Sequence, residues 1–321
     1  MRKIILDFPK QFRLGLESAK DIEISGKFDK ILVLGMGASA LTGEVLKIFL
    51  KEKGEKIKVL IQRNYNLPAG IDKKTLISAI SYSGQTEETI SAFKEALKKK
   101  YKTLAISSNG ELLKICQKFK IPFVKIEGGI VPRMAIGILF SCLVKVLMNS
   151  KLIKDFSKEI LILEKKLKPK NLEKEGKKLA KKLKGKILLI YCPEELEGLA
   201  RIWKLNLNET AKVPAFFNLF PELDHGEIQS FEDLGKFFEA IFFFDQKSDK
   251  RILKRERITA KILKKRGVGI NFIYFKEKDI LEKIFSKILL GFWLSFYLAI
   301  LNKKDPLATK AIEELKEKMK K

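Results

Sequence analysis

The chain has 321 residues, 46% of them hydrophobic, with 20 glycines and 9 prolines, which suits two domains of ordinary size and excludes a disordered or fibrous protein. Lysine and arginine number 65 against 39 acidic residues, a formal charge of +26, which draws anions of any size without choosing among nucleic acid, membrane surface and small phosphates. The lysines are spread over helical stretches such as KEALKKKYK and KEGKKLAKKLKGK, with no basic tail and no basic-aromatic interleaving, a pattern that argues for a heat-adapted surface and against specific nucleic-acid binding.

The opening segment, MRKIILDFPKQFRLGLESAK, reaches polar residues by position 7 and has no signal-type apolar run, so a cytoplasmic protein is expected. Runs rich in Ile, Val and Leu at 31–35, 58–62, 76–83, 103–107 and 123–126 predict strands. Amphipathic stretches near 40–52, 86–99 and 111–118 predict the helices between them, the alternation of a parallel sheet covered on both faces. PRMAIGILFSCLVKVLM reads as a buried helix, and the charged segment that follows it as a helical bridge. The alternation restarts at 186–191, with further strands at 238–245 and 268–275. The expected fold class is therefore α/β, two similar parallel-sheet sandwich domains with helices on both faces, over residues 1–152 and 153–321.

ILLGFWLSFYLAIL at 288–301 is short for a membrane span and is broken by Gly291 and Ser295, so a buried or subunit-interface helix is expected and no membrane partner. Cys116, Cys142 and Cys192 stand far apart without CxxC spacing and are expected to be reduced and buried. With a single histidine in the chain, a clustered metal site is poorly supplied, and no metal or other cofactor is expected.

Two loops could hold an anion. The first strand runs into GMGASALTGEVL, where Gly35 and Gly37 allow a tight turn into a helix start; dinucleotide folds share this spacing, as do ordinary strand–helix turns. Arg63 stands at the end of the next strand where an NAD site would favour an acid, which weakens classical NAD binding, although an NADP variant survives. SYSGQTEET follows a later strand and sets the hydroxyls of Ser81, Ser83 and Thr86 around Gly84. They could cradle a sugar phosphate, or Ser83 or Thr86 could simply cap the next helix. The lone histidine, His225, sits in FPELDHGEIQSF among Glu222, Asp224 and Glu227; alone, that is an ordinary exposed turn. Glu209, in LNLNETAKVP, would alone be a solvated helix end, Lys310 a solvated helix residue, and Arg133 a cap or salt bridge at the start of an apolar helix.

The motifs GMGAS, SYSGQTEET, VPRMA, NETAKVP, FPELDHGE and DPLATKAIEELK occur in an order that strongly resembles the bifunctional phosphoglucose/phosphomannose isomerases, built from two sugar isomerase (SIS) domains. The resemblance covers nearly the whole chain. It implies an isomerase that interconverts glucose 6-phosphate and mannose 6-phosphate with fructose 6-phosphate through ring opening and a cis-enediol. It assigns Glu209 as the proton-transfer base, His225 to ring opening, Lys310 to the same site and Arg133 to the enediolate. Gly37, Ser39, Ser81, Ser83 and Thr86 carry over to the phosphate side, and a homodimer with shared sites is implied. Departures from the family pattern fall at Ala38, Ala40, Gln85, Thr210, Asp224 and Gly226, none of which removes a reacting group. The competing readings are a non-catalytic SIS module that senses a sugar phosphate, and an NADP-dependent enzyme.

Overall fold

The structure, a computed structural model, describes residues 1–319. The chain forms two compact units: the first comprises Leu6–Lys168 with Glu277–Phe285, and the second comprises Met1–Ile5, Pro169–Lys276 and the residues from Ser286 onward.

In the first unit, strands β1 (Lys30–Leu34), β2 (Lys58–Gln62), β3 (Thr75–Ile80), β4 (Thr103–Ser107) and β5 (Phe123–Lys125) form one sheet in the order β2-β1-β3-β4-β5. All its pairings are parallel. β3 and β4 are buried along their whole length and β1 along all but its first residue, which is why they read as continuous apolar runs. β3 ends at Ile80, short of the expected 83, because Gly84 N–H bonds back to the Ser81 carbonyl and turns the chain. Helices Glu87–Lys98 and Glu111–Phe119 pack Phe93, Ala96, Leu112 and Ile115 onto Leu32, Ile77 and Ala105. Helices Gly37–Glu52 and Ile136–Asn149 pack on each other through Phe49 and Phe140, edge to face at 5.6 Å.

The second unit repeats the plan with β6 (Ile187–Pro193), β7 (Ala215–Phe220), β8 (Phe238–Asp245) and β9 (Gly269–Phe275), parallel, in the order β7-β6-β8-β9. Helix Lys250–Lys265 sets Ala260 and Leu263 against Leu189 and Phe242. Helix Glu197–Asn206 brings Trp203 edge-on to Phe243 at 5.0 Å, and the indole N–H donates to the Lys287 carbonyl at 2.8 Å. β7 is absent from the strands expected of the sequence. It is an edge strand closed in by Pro214 and Pro221, and its Phe216 is 54% exposed, so it lacks the apolar signature of its buried neighbours.

The charged bridge is two helices, Ser157–Lys166 and Pro169–Leu183. They are separated just before Pro169, whose ring disfavours helical backbone in the preceding residue. Helix Ile280–Leu301 runs for 22 residues, longer than its apolar stretch, and by length and composition could cross a membrane. Its most apolar window is instead 78% buried within the protein.

Candidate functional site

The order β2-β1-β3-β4-β5 places a topological switch point between β1 and β3, where the chain leaves the sheet in opposite directions and a crevice opens at the carboxyl ends of the strands. GMGAS and SYSGQT are the loops at that point. Gly37, at φ +48°, turns the chain into helix Gly37–Glu52. Gly84 has φ +67°, and a Cβ there would overlap the Asn109 carbonyl, so the second turn admits no side chain. The Tyr82 amide donates to Ser39 Oγ at 3.4 Å, Ser81 Oγ and Thr86 Oγ1 lie 2.8 Å apart, and Ser83 Oγ accepts from Gln85 N at 3.3 Å.

Thr86 occupies the N-cap of helix Glu87–Lys98, yet its side chain makes no cap bond to that helix. Its hydroxyl is turned to Ser81 instead, so Thr86 does not cap the helix. Hydroxyls and two helix starts thus converge on one crevice, a neutral cradle with the positive dipole ends that favour a phosphate. Arg63 is paired with the buried Glu44 at 2.5 Å, which engages the cation an NADP reading would need.

Arg133 belongs to the same unit. It lies in the 3₁₀ turn Pro132–Met134, 5% exposed, and that turn packs against helix Gly37–Glu52. The buried Gln11 fixes the turn, donating to the Met134 carbonyl at 2.9 Å and accepting from Ile138 N at 3.1 Å. Tyr82 Oη accepts from Ile130 N at 2.9 Å, which ties the serine loop to the segment leading into Arg133. The first unit therefore brings Gly37, Ser39, Ser81, Ser83, Thr86 and Arg133 into one neighbourhood.

Glu209, half-buried, lies in a π-helical turn, Leu207–Ala211, that widens the end of helix Glu197–Asn206, a feature enriched at functional positions. The turn is closed by Lys212 in the left-handed conformation, φ +55°. Lys212 Nζ donates to the carbonyls of Glu209 and Asp305, at 2.7 Å each. It thereby clamps the Glu209 turn to the segment that leads to Lys310, the exposed first residue of helix Lys310–Met319. Sequence reasoning missed Lys212, although it stands inside the NETAKVP motif.

His225, exposed, ends the 3₁₀ turn Glu222–His225 beyond the far end of β7. Glu209 precedes β7 and His225 follows it, and six strand residues alone span roughly 17 Å at a typical rise. The second unit thus gathers the Glu209 and Lys310 segments at one end and carries His225 at the other. Its own switch point, between β6 and β8, carries Glu194 and Glu195, and Glu195 accepts from Ser248 Oγ at 2.7 Å; carboxylates there repel a phosphate. Among the described residues no group of three or more His, Cys, Asp or Glu side chains could hold a metal ion.

Two doubly wound parallel sheets, the first with a hydroxyl cradle at its switch point, define a tandem SIS-domain protein. The SIS domain model matches residues 26–121, and that of the bacterial phospho-glucose isomerase C-terminal SIS domain matches residues 172–319. The chain belongs to the bifunctional phosphoglucose/phosphomannose isomerase family. It is 36% identical to the bifunctional phosphoglucose/phosphomannose isomerase of Caldicellulosiruptor bescii, over 99% of this chain and 98% of that one. It is 31% identical to the enzyme of the same name from Aquifex aeolicus, again over 99% and 98%. Among solved structures, a hypothetical protein from Thermus thermophilus shares the fold with a TM-score of 0.76 at 14% identity, covering 98% of this chain and 89% of that one.

Proposed function

We propose that the protein interconverts glucose 6-phosphate and mannose 6-phosphate with fructose 6-phosphate without a metal. The cradle of Ser39, Ser81, Ser83 and Thr86 takes the phosphate, and His225 exchanges protons with the sugar hydroxyl and ring oxygen to open the ring. Glu209 then moves a proton between C2 and C1 through a cis-enediol, while Arg133 stabilises the enediolate charge. Lys310 serves the same site. A planar enediol loses the C2 configuration, so one base serves both aldoses.

The observation that carries this reading is Glu209 on a π-turn clamped by Lys212 beside the segment of Lys310. A module that only sensed a sugar phosphate would need the cradle and not a fixed carboxylate. The placement of Glu209 and His225 at opposite ends of β7 supports a homodimer in which each site borrows its histidine from the neighbouring subunit. Scarce clustered ligands support proton transfer over a metal-assisted hydride shift. Three buried free cysteines fit a reducing cytoplasm.

The test is formation of fructose 6-phosphate from each aldose phosphate in the presence of EDTA and D₂O. Turnover of both with deuterium appearing at C1 or C2 is expected; turnover without solvent exchange would point to hydride transfer, and loss with EDTA to a metal. Ser81→Ala removes one buried hydroxyl of the cradle and is expected to weaken fructose 6-phosphate binding roughly tenfold, the scale of one hydrogen bond to a charged group. Unchanged affinity by titration calorimetry would move the phosphate out of this loop.

A further inference from the structure

The histidine turn is held from behind by its acidic neighbours. Leu223 is buried in the core with Tyr191, Phe220, Phe231 and Leu263. Asp224 Oδ1 accepts from Thr259 Oγ1 at 2.6 Å, and Oδ2 from Arg255 at 3.1 Å. The Asp224 side chain is 10% exposed and Thr259 is 2% exposed, so the Thr259 arm of this latch onto helix Lys250–Lys265 is largely shielded from water, while the Arg255 side chain is 42% exposed. Beyond His225 in the chain, Glu227 accepts from Tyr191 Oη at 2.6 Å and from Asn218 Nδ2 at 2.6 Å. Burial first, then the Glu227 charge, push the Tyr191 phenol up, which keeps it a donor. Two of the three carboxylates around His225 therefore face the protein, one fastened to a helix and one to the sheet, and the exposed His225 lies between the two anchors in the chain.

We propose that Asp224, through Thr259 and Arg255, is a positioning residue that fixes the His225 imidazole for ring opening. The proposal rests on the assignment of ring opening to His225. An imidazole on an exposed 3₁₀ turn has many orientations open to it, and proton exchange with a sugar oxygen requires hydrogen-bond reach at the moment of reaction. The turn has no long element of its own, so its rigidity comes from these side chains. Thr259 reads the carboxylate from a helix fixed by its own buried residues Ala260 and Leu263, and Arg255 adds a charge-assisted bond.

Ring opening can be read apart from isomerisation. In a Glu209→Gln background, exchange between the α and β anomers of glucose 6-phosphate, followed by NMR exchange spectroscopy, reports ring opening while proton transfer at carbon is removed. Asp224→Ala in that background is expected to lower enzyme-catalysed anomer exchange about tenfold, with fructose 6-phosphate affinity changed less than about twofold. Thr259→Val, which keeps the shape and removes the donor, is expected to show most of that loss. Asp224→Asn, which retains an oxygen for Thr259, is expected to recover much of it. Denaturation midpoints identify any variant that fails by unfolding, and Thr259→Val decides if Asp224→Ala does so. Wild-type anomer exchange in folded Asp224→Ala and Thr259→Val, together with loss in His225→Ala, would overturn the positioning role alone. Full exchange in His225→Ala would overturn the histidine assignment, and the positioning role with it.

Discussion

Glu209→Gln is expected to lower kcat for both aldose phosphates by roughly 10² to 10⁴-fold, the usual contribution of a positioned general base, while fructose 6-phosphate binding stays within a few-fold. The amide keeps the shape of the side chain, and the bond from Lys212 to the backbone carbonyl of Glu209 does not depend on the carboxylate charge. The loss should appear in kcat and kcat/KM together, as for an interaction made in the transition state. Because β7 separates Glu209 from His225, the variant also carries a second test. Under the proposed homodimer with shared sites, Glu209→Gln and His225→Ala proteins, each impaired alone, should regain activity when their subunits are exchanged, since one site of the mixed dimer then holds both groups. No recovery in verified heterodimers would mean that the histidine acts within its own chain. Unchanged turnover in Glu209→Gln would remove the base from the mechanism altogether.

Glu256→Gln is expected to make the protein more stable at pH 8.5 and to leave it nearly unchanged at pH 4.5. Glu256 lies in helix Lys250–Lys265, is completely buried, and neither carboxyl oxygen has a hydrogen-bond partner among the described residues. Burial, with the negative charges of Glu195 and Asp245, pushes its carboxyl up to about 8 against the opposing pull of Arg257. The unfolded chain releases this proton near the ordinary glutamate value of about 4.3. Between those two values the folded protein binds the extra proton, so stability falls as pH rises; above about 8 the group is ionised in both states and the loss is complete. The linkage amounts to roughly 4 to 5 kcal/mol over that window, a large part of the stability of a typical domain. Glutamine has no proton to lose, so the difference between variant and parent denaturation free energies should grow from about pH 4.5 to pH 8 and then level off. Parallel curves for the two proteins across pH 4.5–9 would show that Glu256 is not held neutral.

The first sheet was legible because β1, β3 and β4 are buried on both faces, and their short runs of Ile, Leu, Val, Ala and small hydroxyl residues, bounded by turn signals, read as buried strands. β7 was not legible, because an edge strand with Phe216 and Phe217 partly in solvent has neither a continuous run nor strict alternation. The cradle could be suspected from Ser81, Ser83, Gly84 and Thr86, whose residue types report a hydroxyl-lined turn. That Thr86 leaves its cap position to bond Ser81 depends on β3 and the following helix meeting at a particular angle, which local sequence does not encode. For Glu209, Lys310 and His225, residue types carried no chemical signal above a solvated surface, and only the family motifs singled them out. Lys212 lay within one of those motifs and was still missed, because its partner, the Asp305 carbonyl, lies 93 residues away. The roles of Asp224 and Glu227 were hidden for the same reason: a carboxylate in a short polar turn looks solvated until a helix and two strands are packed behind it.

The chain does not complete one unit before starting the other. The aromatic core of the first unit includes Phe285, whose ring lies 4.7 Å from that of Phe12, 5.3 Å from Phe140 and 6.1 Å from Phe8, although the five strands of that unit are finished by Lys125. On the ribosome this sheet must wait, with an open aromatic socket, while the four strands of the second unit are made before its plug emerges. A nascent or truncated chain ending near Lys168 therefore has a complete parallel sheet and an unfinished core, the condition in which exposed apolar surface recruits chaperones or aggregates. Neither unit corresponds to a stretch of sequence that can be cut out, so the two share one folding history from synthesis onward.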